Sequence, residues 1–332
     1  MLKVAVEPRV GQAGRLSRFA GYAWGVLAYN VTVALWGAYV RATGSGAGCG
    51  NHWPLCNGQI ALQSPTTHTL IEFWHRAMTG IDTPLVLLLV IWAFRAFPKA
   101  HPARLGAALS GTFLVTEALL GAALVKLGHV ANNTSPMRAW SDSAHLVNTL
   151  TLLACLALTA WWGAGRPAVR LRGREGWLAG ITVAVMVVLG ISGAITALGD
   201  TLFPARSLAA GFAQDLDSAS SIFLRLRIFH PMIAAGAAAW LAFYAMTAAQ
   251  ERPASRPFAW AVGGVLVAQL AAGAVNLVLL APVWMQMVHL LLAYLLWIAL
   301  VLLCATNLAE SVPEVSGPCK AVPGATIPEH AA

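Results

Sequence analysis

Glu72-Phe73-Trp74-His75-Arg76 is the stretch from which the fold can be inferred, because it places three ionisable side chains at the start of a long apolar run. The run continues to Ile91, and about 20 apolar residues are enough to cross a membrane as a helix. Ionisable groups in such a helix are costly and therefore mark functional sites. Comparable places later in the chain hold His145, His230 and His289. The sequence thus predicts a membrane protein with a repeated histidine site.

The composition also predicts an integral membrane protein. Of the 332 residues, 58% are hydrophobic and only 10% are charged, whereas soluble domains carry about 25% charge. A net charge of +8 could indicate nucleic-acid binding, but Lys and Arg fall mainly in short loops between apolar runs. That distribution is typical of the positive-inside rule. We therefore predict a lipid membrane as the partner and no nucleic acid.

Eight runs have the length of a membrane span, and the basic loops predict that both termini lie inside. No cleavage site follows the first apolar run, so we predict a retained start helix. The predicted spans are 19–41, 70–94, 105–127, 141–163, 176–198, 222–248, 258–280 and 284–307.

The two halves of the chain resemble each other. Residues 114–121 (LVTEALLG) align with residues 266–273 (LVAQLAAG), and Gly37 aligns with Gly193. Four spans per repeat give two halves of the same orientation, related by a pseudo-twofold axis along the membrane normal. We therefore predict an all-α membrane protein built as two four-helix bundles. The predicted divisions are a cytoplasmic segment 1–18, an N-terminal bundle 19–163, a cytoplasmic linker 164–175, a C-terminal bundle 176–307 and a disordered cytoplasmic tail 308–332.

One histidine falls near the outer start of each even-numbered span. Two imidazoles facing each other across a bundle can hold a heme iron from both sides. A single histidine in a membrane helix can equally form a hydrogen bond, but four in duplicated register favour iron binding. Zinc is a weaker alternative, because no helix offers histidines four residues apart. The remaining histidines are predicted to lie at the surface, and these are His52, His68, His101, His129 and His330. For His129, a role near a substrate entrance is left open.

The first outer loop contains Cys49 and Cys56 in a turn rich in Gly and Pro. On the oxidising side of the membrane these cysteines are a candidate disulfide. The pair could hold the loop over the N-terminal bundle, or it could exchange electrons. Cys155 and Cys304 lie inside spans and Cys319 lies in the tail, so these three are predicted to be unpaired.

Together these motifs resemble the heme A synthase family of bacterial and mitochondrial cytochrome oxidase assembly proteins. The resemblance rests on GAYVRATGSG (37–46), CGNHWPLC (49–56), EFWHR (72–76) and AHLVNT (144–149), with two further histidines at helix starts. It implies oxidation of the C8 methyl of heme O to a formyl group, which gives heme A for cytochrome oxidase. It implies His75 and His145 as axial ligands of the substrate heme, and His230 and His289 as ligands of a heme b cofactor.

The resemblance also matches Glu72 to the essential acid of the family and Cys49–Cys56 to its outer-loop disulfide. It implies a multi-pass protein of the bacterial inner membrane, with heme sites toward the periplasm. The implied partners are heme O synthase and the assembly of cytochrome oxidase. The sequence leaves the oligomeric state open, including a homo-oligomer.

The two halves differ three residues before the first histidine of each pair, where Glu72 corresponds to Arg227. Residues three apart share a helix face. An Arg there suits a heme carboxylate, whereas a Glu suits positive charge or a proton leaving the substrate methyl. We therefore expect catalysis at Glu72 and cofactor retention at Arg227.

Arg41 and Arg76 are candidates for contacts with substrate propionates, with anchoring to lipid headgroups as an alternative. Glu117 could serve in packing or on a proton path, while Asp82 and Asn148 are predicted to hydrogen-bond between helices. Two other functions fit four histidines: a diheme b-type cytochrome that only transfers electrons, and a heme-carrying assembly factor. Both leave Glu72 and the outer-loop motif without a role.

Overall fold

The computed structural model describes residues 10–60 and 62–309, and helices joined by loops make up this part of the chain. Its only β pairings are isolated bridges between Cys56 and Gln59 and between Val169 and Ala309. The helices are α1 (Val10–Ala42), α2 (Thr67–Ala96), α3 (Pro102–Lys126), α4 (Pro136–Gly163), α5 (Gly173–Leu202), α6 (Leu208–Leu216), α7 (Ile222–Arg227), α8 (Phe229–Glu251), α9 (Arg256–Val278) and α10 (Val283–Asn307).

Eight helices are long and apolar enough to cross a membrane, which confirms the predicted number of spans. The sixth span consists of α7 and α8 together. The short helix α6 was not predicted, and α5 extends to Leu202, so Asp200 belongs to a helix rather than to the outer loop. Residues 1–9 of the predicted N-terminal segment and residues 310–332 of the predicted tail, with Cys319 and His330, lie outside the described residues.

The helix starts follow ordinary capping rules. Pro102 and Pro136 occupy the first turns of α3 and α4, where a missing backbone N–H costs nothing. The side chain of Thr66 accepts a hydrogen bond from the backbone N–H of Thr69 and so caps α2. The caps at Thr66 and Pro136 fix where α2 and α4 begin and thereby set the positions of His75 and His145 along these helices.

Helices α1 and α4 join the two halves of the chain, because they contact α5 and α10 as well as their own neighbours. The interface includes a buried hydrogen bond in which the indole N–H of Trp297 donates to the carbonyl oxygen of Leu150, at 2.7 Å. Cys155 and Cys304 are buried and unpaired, as predicted. The division into two bundles, the pseudo-twofold axis and the orientation in the membrane stay predictions.

Candidate functional site

Each of the four histidines lies against a glycine of the span that precedes it. A Cβ atom built on Gly37, Gly193 or Gly273 would lie 2.9 to 3.1 Å from an imidazole atom, too close unless the ring moves, whereas at Gly121 the distance of 3.6 Å is an ordinary contact. The same helix-to-helix contact therefore recurs four times along the chain. The pairs are Gly37 with His75, Gly121 with His145, Gly193 with His230, and Gly273 with His289.

The histidines fall into two pairs in space. His75 lies close enough to His145 for their rings to interact electrostatically, and the same holds for His230 and His289. The first pair comes from α2 and α4, and the second comes from α8 and α10. The structure thus brings the four predicted site residues together as two separate pairs.

The imidazole nitrogens of the four histidines differ in their hydrogen bonding. The Nδ1 atoms of His75 and His289 are buried and have no hydrogen-bond partner. His230 Nδ1 lies 2.9 Å from the hydroxyl oxygen of Ser192, and His145 Nδ1 lies 3.6 Å from Glu117. An imidazole that ligates a metal through one nitrogen is usually oriented through the other. Each half therefore offers one oriented ring and one ring with a free nitrogen, which fits a heme iron held between two histidines.

Glu72 is fixed directly beneath the outer loop. Its side chain is almost fully buried, at 3% exposure. The Cys49 backbone N–H donates to Glu72 Oε2 at 2.8 Å, and the Arg76 guanidinium pairs with Oε1 at 2.5 Å. The carboxylate is therefore charge-paired and held in place, which the sequence did not reveal.

The outer loop is closed by the Cys49–Cys56 disulfide, as predicted. Both cysteines are buried, and Arg76 also donates to the carbonyl oxygens of His52 and Leu55. The loop, the disulfide and the start of α2 therefore form one connected unit around Glu72.

The expected role of Arg227 rests on a continuous helix through His230, and this continuity was wrong. Helix α7 ends at Arg227 and α8 begins at Phe229, with Ile228 as a turn between them. Pro231 explains the interruption, because it lacks the N–H that would bond to the carbonyl of Arg227. The Arg227 guanidinium pairs instead with Asp200 at 2.8 Å and Asp215 at 2.7 Å.

The two other arginines considered for propionate contacts are also engaged by the protein. Arg41 donates to the carbonyl oxygen of Ala197 at 2.7 Å, and it also donates to Thr201 and Gln286. These residues belong to α5 and α10, so Arg41 joins the two halves. Arg76 binds Glu72 and the outer loop, as described above. Contacts between either arginine and a propionate stay a prediction.

Two of the predicted interhelical hydrogen bonds are confirmed. Asn30 on α1 donates to Asp82 on α2 at 2.9 Å. Asn148 on α4 donates to the carbonyl oxygen of Phe113 and to Glu117, both on α3. Among the histidines expected at the surface, His52 and His68 are exposed, while His101 and His129 are partly buried. His129 Nδ1 lies 2.7 Å from the Ser141 hydroxyl.

Comparisons with known proteins agree on a family. The model of the family described as cytochrome oxidase assembly protein matches residues 20–301. A Thermus thermophilus protein named protoheme IX farnesyltransferase is 49% identical over 303 residues, which are 90% of this chain and 50% of that protein. The chain therefore spans about half the length of that relative.

Heme A synthases are also among the relatives. That of Geobacillus kaustophilus is 45% identical over 96 residues, covering 29% of this chain and 30% of the relative. That of Exiguobacterium sp. is 29% identical over 187 residues, covering 56% of this chain and 60% of the relative. The family match includes all four histidines and Glu72, and by this match the chain belongs to the cytochrome oxidase assembly protein family.

Proposed function

We propose that this protein is a heme A synthase, an oxidoreductase that converts the C8 methyl of heme O to a formyl group. The observation that carries this proposal is the presence of two histidine pairs, each ring against a glycine, with the buried Glu72 three residues before His75 on α2. Membership of an oxidase assembly family and heme A synthase relatives support it. The name of the Thermus relative belongs to a protein about twice as long.

We assign the two pairs different roles. His75 and His145 hold the substrate heme O, and His230 and His289 hold a heme b cofactor. A bound heme supplies one-electron redox chemistry at its iron. The unpartnered Nδ1 atoms of His75 and His289 support ligation in both halves, because a free nitrogen in a buried ring otherwise costs free energy.

The reaction must release four electrons. A ring methyl and one water give a formyl group, four protons and four electrons. The balance therefore requires an electron acceptor in the membrane, and a heme held by His230 and His289 would supply one-electron chemistry in the half that α1 and α4 contact through α5 and α10. The water oxygen becomes the formyl oxygen in this balance.

Glu72 acts on the substrate in this scheme. It lies three residues before His75 in α2, so both side chains face the same side of that helix. Its buried carboxylate stabilises positive charge that develops at the methyl carbon, or accepts a proton from it. The bonds from Cys49 and Arg76 hold it in place but also share its charge, so electrostatic stabilisation fits the geometry better than full proton transfer.

The boundaries of the two functional halves follow from the histidine pairs. We assign residues 19–163 to the substrate half and 176–307 to the heme b half, with both heme sites toward the periplasm and both termini inside. In this arrangement a propionate can contact Arg227, Arg41 or Arg76 only if the arginine also keeps its present hydrogen-bond partners.

Pigment analysis tests the proposal. The chain is expressed with heme O synthase in a bacterium that lacks heme A synthase, and hemes are extracted and identified. We expect heme A. Glu72→Gln should lower heme A formation by about 10²–10³-fold, the usual loss when one group that stabilises transition-state charge is removed, while bound heme b stays intact. Glu251→Gln, at the inner end of α8, is the matched control and should change neither quantity.

Other results would identify another function. Heme O that is bound and released unchanged indicates a heme-carrying assembly factor. Bound heme b without any heme O indicates an electron-transfer cytochrome. Farnesylated heme formed from protoheme without the synthase would assign the activity named for the Thermus relative. Equal loss of both hemes in Glu72→Gln would contradict the division of roles between the halves.

A further inference from the structure

Glu117 lies at the centre of a polar network beside the N-terminal histidine pair. Its Oε1 accepts a hydrogen bond from the Thr149 hydroxyl and its Oε2 accepts one from the Asn148 amide, both at 2.5 Å. Asn148 is itself held by the Thr116 hydroxyl at 2.6 Å. The carboxylate is therefore fixed from two sides, and Oε1 lies 3.6 Å from Nδ1 of His145.

The C-terminal half has the same backbone position but none of this network. Gln269 corresponds to Glu117, since each lies four residues before the glycine that contacts a histidine. Its amide nitrogen lies 3.3 Å from His289 Nε2, and its Oε1 has no hydrogen-bond partner. The positions that correspond to Asn148 and Thr149 are Leu292 and Ala293, which cannot hold a carboxylate.

We propose that Glu117 is a positioning residue that polarises His145 and thereby lowers the reduction potential of the heme iron in the N-terminal half relative to the C-terminal half. This inference rests on the proposed function, because it takes His145 as an iron ligand. When Nε2 binds iron, Nδ1 carries a proton that the carboxylate can accept in a hydrogen bond. The 3.6 Å distance has to shorten by only about 0.5 Å for that bond.

The physical reason is the electron density that the imidazole donates to the metal. A carboxylate behind a ligating imidazole orients the ring and makes it a stronger donor, and such partners change metal affinity by about 10–100-fold. A stronger donor favours the oxidised, more positive iron. If that preference is tenfold, the reduction potential falls by about 59 mV for one electron. An amide such as that of Gln269 carries no charge and has no such effect.

Spectroelectrochemical titration of the full-length protein with both hemes bound tests this inference. Glu117→Gln keeps the shape of the side chain and removes its charge, so we expect the N-terminal heme to shift to a higher midpoint potential while the C-terminal heme stays unchanged. Glu117→Asp should recover part of the original potential. The matched variant Gln269→Glu should lower the potential of the C-terminal heme by a smaller amount, because Leu292 and Ala293 give the new carboxylate no support.

Two further measurements separate this inference from the proposed function. His145→Ala should abolish the bis-histidine absorption spectrum of the N-terminal heme, and an unchanged spectrum would contradict the ligand assignment itself. Should Glu117→Gln retain both hemes and both potentials, the ligand assignment would stand and the role of Glu117 would be refuted. If Glu117→Gln loses the N-terminal heme, Thr149→Val is measured in its place. This variant removes one of the two hydrogen bonds to the Glu117 carboxylate, and it should raise the midpoint potential of the N-terminal heme by less than loss of the charge would.

Discussion

At the scale of single residues, the four glycines determine where the imidazoles can lie. Helices approach most closely where one of them carries no side chain, as membrane helices commonly do. The contact of Gly37 with His75 is the tightest, since a Cβ there would lie 2.9 Å from the ring. The role of these glycines is therefore steric, because they leave the space that the imidazole rings occupy; it is not to make the helices flexible.

Gly37→Ala should displace the His75 ring and weaken heme binding in the N-terminal half. Overpacking typically costs about 1–3 kcal/mol, which corresponds to about 5- to 150-fold weaker binding. Absorbance titration with heme measures the affinity. Gly25→Ala in the same helix has nothing within 4 Å of the new Cβ and should leave the affinity unchanged. Equal binding by both variants would show that His75 does not ligate the iron in this position.

Residue-scale detail marks the limit of what the sequence can predict. Spacing and the family resemblance predicted the four histidines and Glu72 as site residues, because the two halves can be aligned. The partners of Glu72 could not be found in this way, since the Cys49 N–H reaches it only once the outer loop has folded back onto α2. The network around Glu117 likewise depends on how α3 and α4 are rotated against each other.

At the scale of helices, a cluster of α6, Arg227 and Asp200 connects the end of α5 with the start of α8. Arg227 also donates to the carbonyl oxygen of Gly211 in α6, and Asp215 comes from the same short helix. Hydropathy predicted the eight spans but not α6, because nine residues are too few for a span. Pro231 was the available signal for the interruption before His230.

Arg227→Gln should release α6 from the end of α5. Breaking this partly buried ion pair leaves the carboxylates of Asp200 and Asp215 without a cation and should cost about 1.5–3 kcal/mol, below the roughly 3–5 kcal/mol of a fully buried pair. Limited proteolysis should then cleave residues 203–221 at least about tenfold faster, since each 1.4 kcal/mol is a factor of ten. Arg225→Gln, an exposed neighbour, is the control. Unchanged cleavage would mean that α6 is held by its apolar contacts.

At the scale of the whole molecule, the two halves are joined by polar contacts within a largely apolar interface. Arg41 extends from α1 to α5 and α10, and the Trp297 indole bonds to α4. Such groups are costly to expose in a membrane, so the halves are held in one fixed arrangement. The sequence predicted the two repeats but gave no indication of which faces meet.

Arg41→Gln should destabilise the junction of the halves without removing either histidine pair. Hydrogen bonds from a charged donor contribute about 1.5–3 kcal/mol, so we expect a lower thermal unfolding midpoint in detergent. Arg95→Gln, exposed near the end of α2, should leave the midpoint unchanged. An unchanged midpoint in Arg41→Gln would show that apolar packing alone joins the halves.

The bond from Arg41 to Ala197 has a consequence for the origin of this chain. Arg41 lies four residues after Gly37, and Ala197 lies four residues after Gly193, so the two residues occupy equivalent positions in the two repeats. Contact between equivalent positions is what a symmetric homodimer forms around its axis. The duplication predicted from the sequence thus implies a four-helix ancestor that worked as a pair, and fusion of two copies into one chain would let an arginine remain on one side only.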